Sequence, residues 1–166
     1  MKRFTDTAIW DKPWFRKLSA SEKCALHFIK DKCDNVGVWV TDFESGDYFI
    51  GDKIDWESFR EKLNNNIVVL ENGKWWMIDF CTFQYGFLSD NPKNKIHNSY
   101  IDLLKRHKLY SVYKDYARGM DTEQDKDKEQ GKGKDQDKDS RTTSEYAKKR
   151  VKELEDKWRM PGGKKK

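Results

Sequence analysis

Between Gly119 and Ser144 the chain has a single large apolar side chain, Met120. A stretch with so little to bury cannot offset its ordering entropy. Its alternating charges therefore predict a disordered, solvated linker over residues 119–141 (GMDTEQDKDKEQGKGKDQDKDSR). Cysteine is scarce and odd in number. Cys24, Cys33 and Cys81 each sit in an apolar context, which argues against a disulfide framework and predicts buried thiols in a reduced cytosolic protein. No window approaches the ~18 apolar residues of a membrane span. The opening MKRFTDTAIW lacks the continuous apolar stretch of a secretory signal, so a cytoplasmic location without a membrane partner is expected.

Recognisable catalytic patterns are missing as well. No stretch matches a phosphate loop, a dinucleotide fingerprint or a nucleophile elbow. Cys24-x-x-His27 with Cys33 falls on one helix without a second ligand pair, so neither a metal nor a cofactor is expected. His27, His97 and His107 stand in no fixed sequence relation to an acid or nucleophile, and the carboxylates fall mostly on exposed helix faces. The expectation is a protein that is not an enzyme. Strong positive charge is also lacking: residues 1–118 hold 19 Lys and Arg against 17 Asp and Glu, net +2, and the remainder holds 15 against 12, net +3. Any grip on nucleic acid has to come from a local patch, an oligomer or a partner.

The apolar side chains are concentrated before residue 119, with six of the seven Trp and all nine Phe. Residues 1–118 are therefore expected to form one folded domain, followed by the linker and by an amphipathic helix with a basic end over 142–166. The domain is organised around Lys53–Phe80. Asp55 is a good N-cap, and Trp56, Phe59 and Leu63 share one face of a helix over 55–64 that Asn64-Asn65-Asn66 ends. Ile67–Leu70 and Trp75–Phe80 flank Asn72-Gly73, the signal for a type I′ hairpin. That turn would pair Leu70 with Trp75, Val69 with Trp76 and Ile67 with Ile78, placing Ile67, Val69, Trp76, Ile78 and Phe80 on one core-facing side.

Upstream, Ser19-Ala20-Ser21-Glu22 is a capping box opening a helix to about Lys32, with Cys24, Ala25, Phe28 and Ile29 as its stripe. Val36–Val40 reads as a short strand. Thr41-Asp42-Phe43-Glu44 reads as a second capping box, and Gly51–Ile54 as a four-residue turn. Helix, strand, helix, turn, helix and hairpin in this order predict an α+β winged helix-turn-helix with a small three-stranded antiparallel sheet. Ser99 is read as opening a further helix, and Tyr110, Tyr113 and Tyr116 as packing onto the body.

Two surfaces are candidates for DNA. In the winged-helix region the candidates are Lys53, Ser58, Arg60, Lys62, Asn72 and Lys74, although Glu57 and Glu61 make a poor groove-facing set. Lys93, Lys95, Lys105, Arg106 and Lys108, opposed only by Asp102, form the most basic patch of the domain. Candidate partner-binding residues are Trp10, Trp14 and Phe15 in an aromatic N-terminal arm, and Tyr146, Val151, Leu154 and Trp158 in the terminal helix.

The segments AIWDKPWFRKLSASEKCALHFIKDKCDNVGVW, FIGDKIDWESFREKLN and LENGKWWMIDFCTFQYG resemble the N-terminal domain of phage and prophage replication proteins of the DnaD-like replisome-organiser kind, over roughly residues 5–118. The resemblance implies a winged-helix domain that binds DNA or self-associates at a replication origin and assists helicase loading, with the helicase or its loader as partner. It would make helix 55–64 the recognition helix and Leu70–Trp75 the wing. Family members often continue into a second helical domain, where this chain has a charged linker and one short helix. The alternative is a protein–protein scaffold in which the winged helix self-associates and the terminal helix recruits a partner.

Overall fold

A computed structural model describes residues 2–63, 66–129 and 153, with residues 120–129 described as backbone alone. The architecture is α+β. A short 3-10 turn (Thr7–Asp11) precedes α1 (Pro13–Arg16), α2 (Ala20–Lys32), β1 (Val38–Trp39), α3 (Phe43–Ile50) and α4 (Trp56–Lys62). Then come β2 (Ile67–Val69), β3 (Trp75–Met77), α5 (Phe80–Tyr85), α6 (Lys95–Arg106) and α7 (Tyr110–Glu129). The three strands form an antiparallel sheet in the order β1-β3-β2, an arrangement compatible with a winged helix.

Local chemistry accounts for most element ends. The Ser19 hydroxyl accepts from the Glu22 N–H while the Glu22 carboxylate accepts from the Ser19 N–H, a complete capping box for α2. Asp55 caps α4 by accepting from the Ser58 N–H, and Gly51, at φ +77°, ends α3 in a left-handed conformation that costs glycine nothing. Other boundaries differ from the sequence reading. Asp42, not Thr41, caps α3, because its carboxylate accepts from the Ser45 N–H. Asn94, not Ser99, caps α6: its side chain accepts from the His97 N–H, so the helix begins at Lys95. Ser99 lies inside α6, its hydroxyl donating to the Ile96 carbonyl.

The hairpin also departs from expectation. Ile67 pairs with Met77, Val68 with Trp76 and Val69 with Trp75, one residue away from the type I′ register. The Leu70 N–H donates to the Lys74 carbonyl and the Gly73 N–H to the Leu70 carbonyl, closing a three-residue loop in which Gly73 alone takes a positive φ, +76°. This is the turn-plus-bulge connection, in which only one left-handed residue is needed. A one-residue change of register moves side chains to the opposite face. Trp76 and Ile78 accordingly lie with Val36, Val38, Val68 and Leu70, while Ile67, Val69, Trp75 and Met77 lie with Trp39. Phe80 is buried on the Trp39 side as the first residue of α5, not as the end of a strand.

Both faces of the sheet are covered. On one side Trp39, Phe43, Trp56 and Trp75 gather with ring centroids 5.2–6.2 Å apart, backed by Phe15, Ala25, Ile29 and Phe59. On the other, Leu104, Leu109, Val112 and Tyr113 of the α6–α7 pair cover Val68 and Trp76. The buried Trp76 indole N–H donates to the Val36 carbonyl at 3.0 Å, so its one polar atom is satisfied. Full burial of a Leu or Val side chain stabilises by roughly 1.5–3 kcal/mol. Burial of Leu104, Leu109 and Val112 therefore binds α6–α7 into the same core rather than leaving it as an appendage.

Two further expectations change. Cys33 and Cys81 are buried, but Cys24 is exposed, because the stripe of α2 that meets the core runs through Ala25, Leu26 and Ile29. α7 continues to Glu129, through the first part of the stretch expected to be linker. The rest of that linker and Tyr146, Val151, Leu154 and Trp158 lie outside the described residues.

Candidate nucleic-acid interface

α4 buries Trp56 and Phe59 and turns Glu57, Glu61 and Lys62 outward, with Ser58 and Arg60 half-buried. Its cations are engaged by carboxylates. Arg60 Nη2 lies 2.5 Å from Glu57 Oε1, and Lys62 Nζ lies 2.6 Å from Glu22 Oε1. Burial alone would raise the Glu22 pKa, but the hydrogen bonds from Lys62 and from the Ser19 N–H outweigh it and hold the carboxyl below its usual value. Lys53 is exposed in the turn before α4. At the hairpin tip Asn72 accepts from the Lys74 N–H, and the Thr41 hydroxyl donates to the Gly73 carbonyl, tying the tip to the start of α3.

The basic patch is more open, although Lys105 Nζ also lies 3.6 Å from Asp102 Oδ1. Lys93, Lys95, Lys105, Arg106 and Lys108 are all exposed, and α7 adds exposed Lys114 and Arg118. Residues 93–118 carry seven Lys or Arg against two Asp, net +5, whereas residues 1–92 carry twelve against fifteen acids, net −3. Charge is thus segregated between the α6–α7 layer and the rest of the domain. Lys105 and Arg106 in the last turn of α6 also suit its dipole, but Lys93 and Lys95 flank the N-terminus, where a cation is disfavoured. Helix stability does not account for those two.

The end of α6 is fixed by backbone and side chain together. The Leu109 N–H donates to the Leu104 carbonyl and the Lys108 N–H to the Lys105 carbonyl, with Lys108 at φ +61°. This is the left-handed helix end at which glycine is usual. His107 Nε2 lies 2.7 Å from Asp34 Oδ2, and Asp34 Oδ1 accepts from the Val36 and Val38 N–H groups, joining α6 to the edge of the sheet.

Beside this junction a groove of about 370 Å³ runs between α2, β1, α3, the hairpin and the end of α6. Phe28, Lys32, Val38, Phe49, Lys74 and His107 are among its walls. Phe49 is 65% exposed and stacks on Phe28 at 6.1 Å, with Lys32 Nζ 5.3 Å from its centroid; neighbouring Tyr48 is 80% exposed. No local sequence pattern marks this groove, because its walls come from five separate segments.

The aromatic arm is pinned to its own body. The Phe4 N–H and carbonyl pair with the Gln84 amide, each at 2.9 Å, and Arg3 donates to the Cys33 carbonyl. Phe15 is fully buried and therefore unavailable to a partner, a correction that follows from its place between Trp10 and Trp14 over the core. Trp14 is partly buried, and Trp10 remains 58% exposed.

Among the described residues no three His, Cys, Asp or Glu side chains come together as a metal site, and no helix is long and apolar enough to cross a membrane. No family model, curated protein or solved structure matches the chain.

Proposed function

We propose that this protein is a non-enzymatic DNA-binding accessory module, a winged helix whose DNA contact is made by the α6–α7 layer. The observation that carries the reading is the charge segregation, net +5 on residues 93–118 against −3 on residues 1–92. A polyanion is attracted to the first surface, whereas the second draws it only where cations gather locally. The engagement of Arg60 and Lys62 by carboxylates supports the same choice, since α4 then offers few free cations to a phosphate backbone. The resemblance to DnaD-like replisome organisers supplies the setting, replication initiation in the cytoplasm with the helicase or its loader as partner.

The test compares two variants in fluorescence anisotropy with labelled DNA. Lys105→Ala with Arg106→Ala weakens binding to all sequences alike, and Lys53→Ala leaves it unchanged. The opposite pattern returns DNA contact to the helix-turn-helix. A second reading, a self-associating scaffold, is favoured by the exposure of Trp10 and Tyr48. It requires a mass that rises with concentration, and a monomer at every concentration removes it.

A further inference from the structure

We propose that the groove between α2, α3 and the hairpin is a single-stranded nucleic-acid site, in which Phe49 stacks a base while Lys32 and Lys74 take the adjoining phosphates. This rests on the DNA-binding reading above and adds a strand preference and a location to it.

The chemistry of the walls selects the occupant. Both acids in the groove are already used: Asp34 accepts from two backbone N–H groups and contacts His107, and Asp42 caps α3 through the Ser45 N–H. The cations are not. Among the described residues, no hydrogen bond or ion pair engages the ammonium group of Lys32 or of Lys74, and Lys32 rests only on the Phe28 and Phe49 rings. An accessible aromatic face flanked by cationic side chains is the pairing that binds single strands, whose bases are free to stack. A duplex keeps its bases stacked on one another and gains nothing from such a platform. His107 lines the groove and closes α6, so the groove borders the helix end that carries Arg106 and Lys108.

The experiment titrates fluorescein-labelled oligo(dT), and a duplex of equal length, with the full chain and four variants. Stacking one base on a protein ring is worth roughly five- to a hundredfold in affinity. Phe49→Ala is expected to weaken oligo(dT) binding by at least ~tenfold and duplex binding by less than ~twofold, and Phe49→Trp to retain both. Lys32→Ala with Lys74→Ala, at two side chains that are not buried, is expected to weaken oligo(dT) and to reduce its salt slope by about 0.7 for each phosphate no longer neutralised. Unchanged oligo(dT) affinity in both Phe49→Ala and the lysine pair overturns the groove site, while a loss confined to Lys105→Ala with Arg106→Ala leaves the α6–α7 reading standing. Loss of self-association in Phe49→Ala without loss of oligo(dT) binding assigns the groove to protein instead. Failure of the unaltered chain to bind either probe overturns both.

Discussion

The indole of Trp56 sits against the Cα of Gly46 so closely that a methyl group placed there would lie 2.6 Å from Cζ2. This fit lets α3 and α4 approach across the Gly51 turn, while Asp47 accepts from both the Trp56 indole N–H and the Ile54 N–H. Gly46→Ala is therefore expected to destabilise the domain by about 1–3 kcal/mol, the usual cost of overpacking. Urea unfolding followed by tryptophan fluorescence measures it, and a variant as stable as the parent would show that the two helices can separate without penalty.

Lys108 occupies a left-handed position at which a side chain is strained. Lys108→Gly is expected to stabilise the domain by about 0.5–1 kcal/mol while weakening DNA binding, because strain and one cation are removed together. Stability and affinity moving in the same direction would contradict this.

Glu22 has a folded-state pKa below its ordinary value of 4.5. Its contribution is present above the unfolded value and is lost as pH falls through the lower folded one. Glu22→Gln is expected to cost about 1 kcal/mol at neutral pH, the half-exposed Lys62 being screened by water, and to flatten the acid limb of stability below about pH 4.5. An acid limb identical to that of the parent would remove this carboxylate as a cause.

Burial pushes the Cys33 and Cys81 thiols up to about 12, whereas Cys24 is exposed. The thiolate is the reactive form. One of the three thiols is expected to react rapidly with a disulfide reagent in the folded protein, and Cys24→Ser to abolish that phase. Rapid reaction of a second thiol would mean that the core opens locally.

Features set by one or two adjacent side chains are legible in the sequence, among them the Ser19 capping box, the Asp55 cap and the basic run from Lys93 to Lys108. The hairpin register is not, because apolar side chains point to both faces of a sheet buried on both sides, and alternation then marks neither. The cover supplied by Leu104, Leu109 and Val112 lies far along the chain from the strands it buries, beyond the reach of any local pattern. The same separation hides the groove, where Phe28, Phe49, Lys74 and His107 meet only after folding.

DNA contact by the α6–α7 layer is read from the salt dependence of duplex binding in the full chain and in Lys105→Ala with Arg106→Ala. The expected result is a linear fall of log affinity with log salt, its slope smaller in the variant by about 0.9 for each phosphate no longer neutralised. Equal slopes and affinities in the two proteins, or affinity no better than the nonspecific ~10⁻⁴ M level at physiological salt, would contradict it.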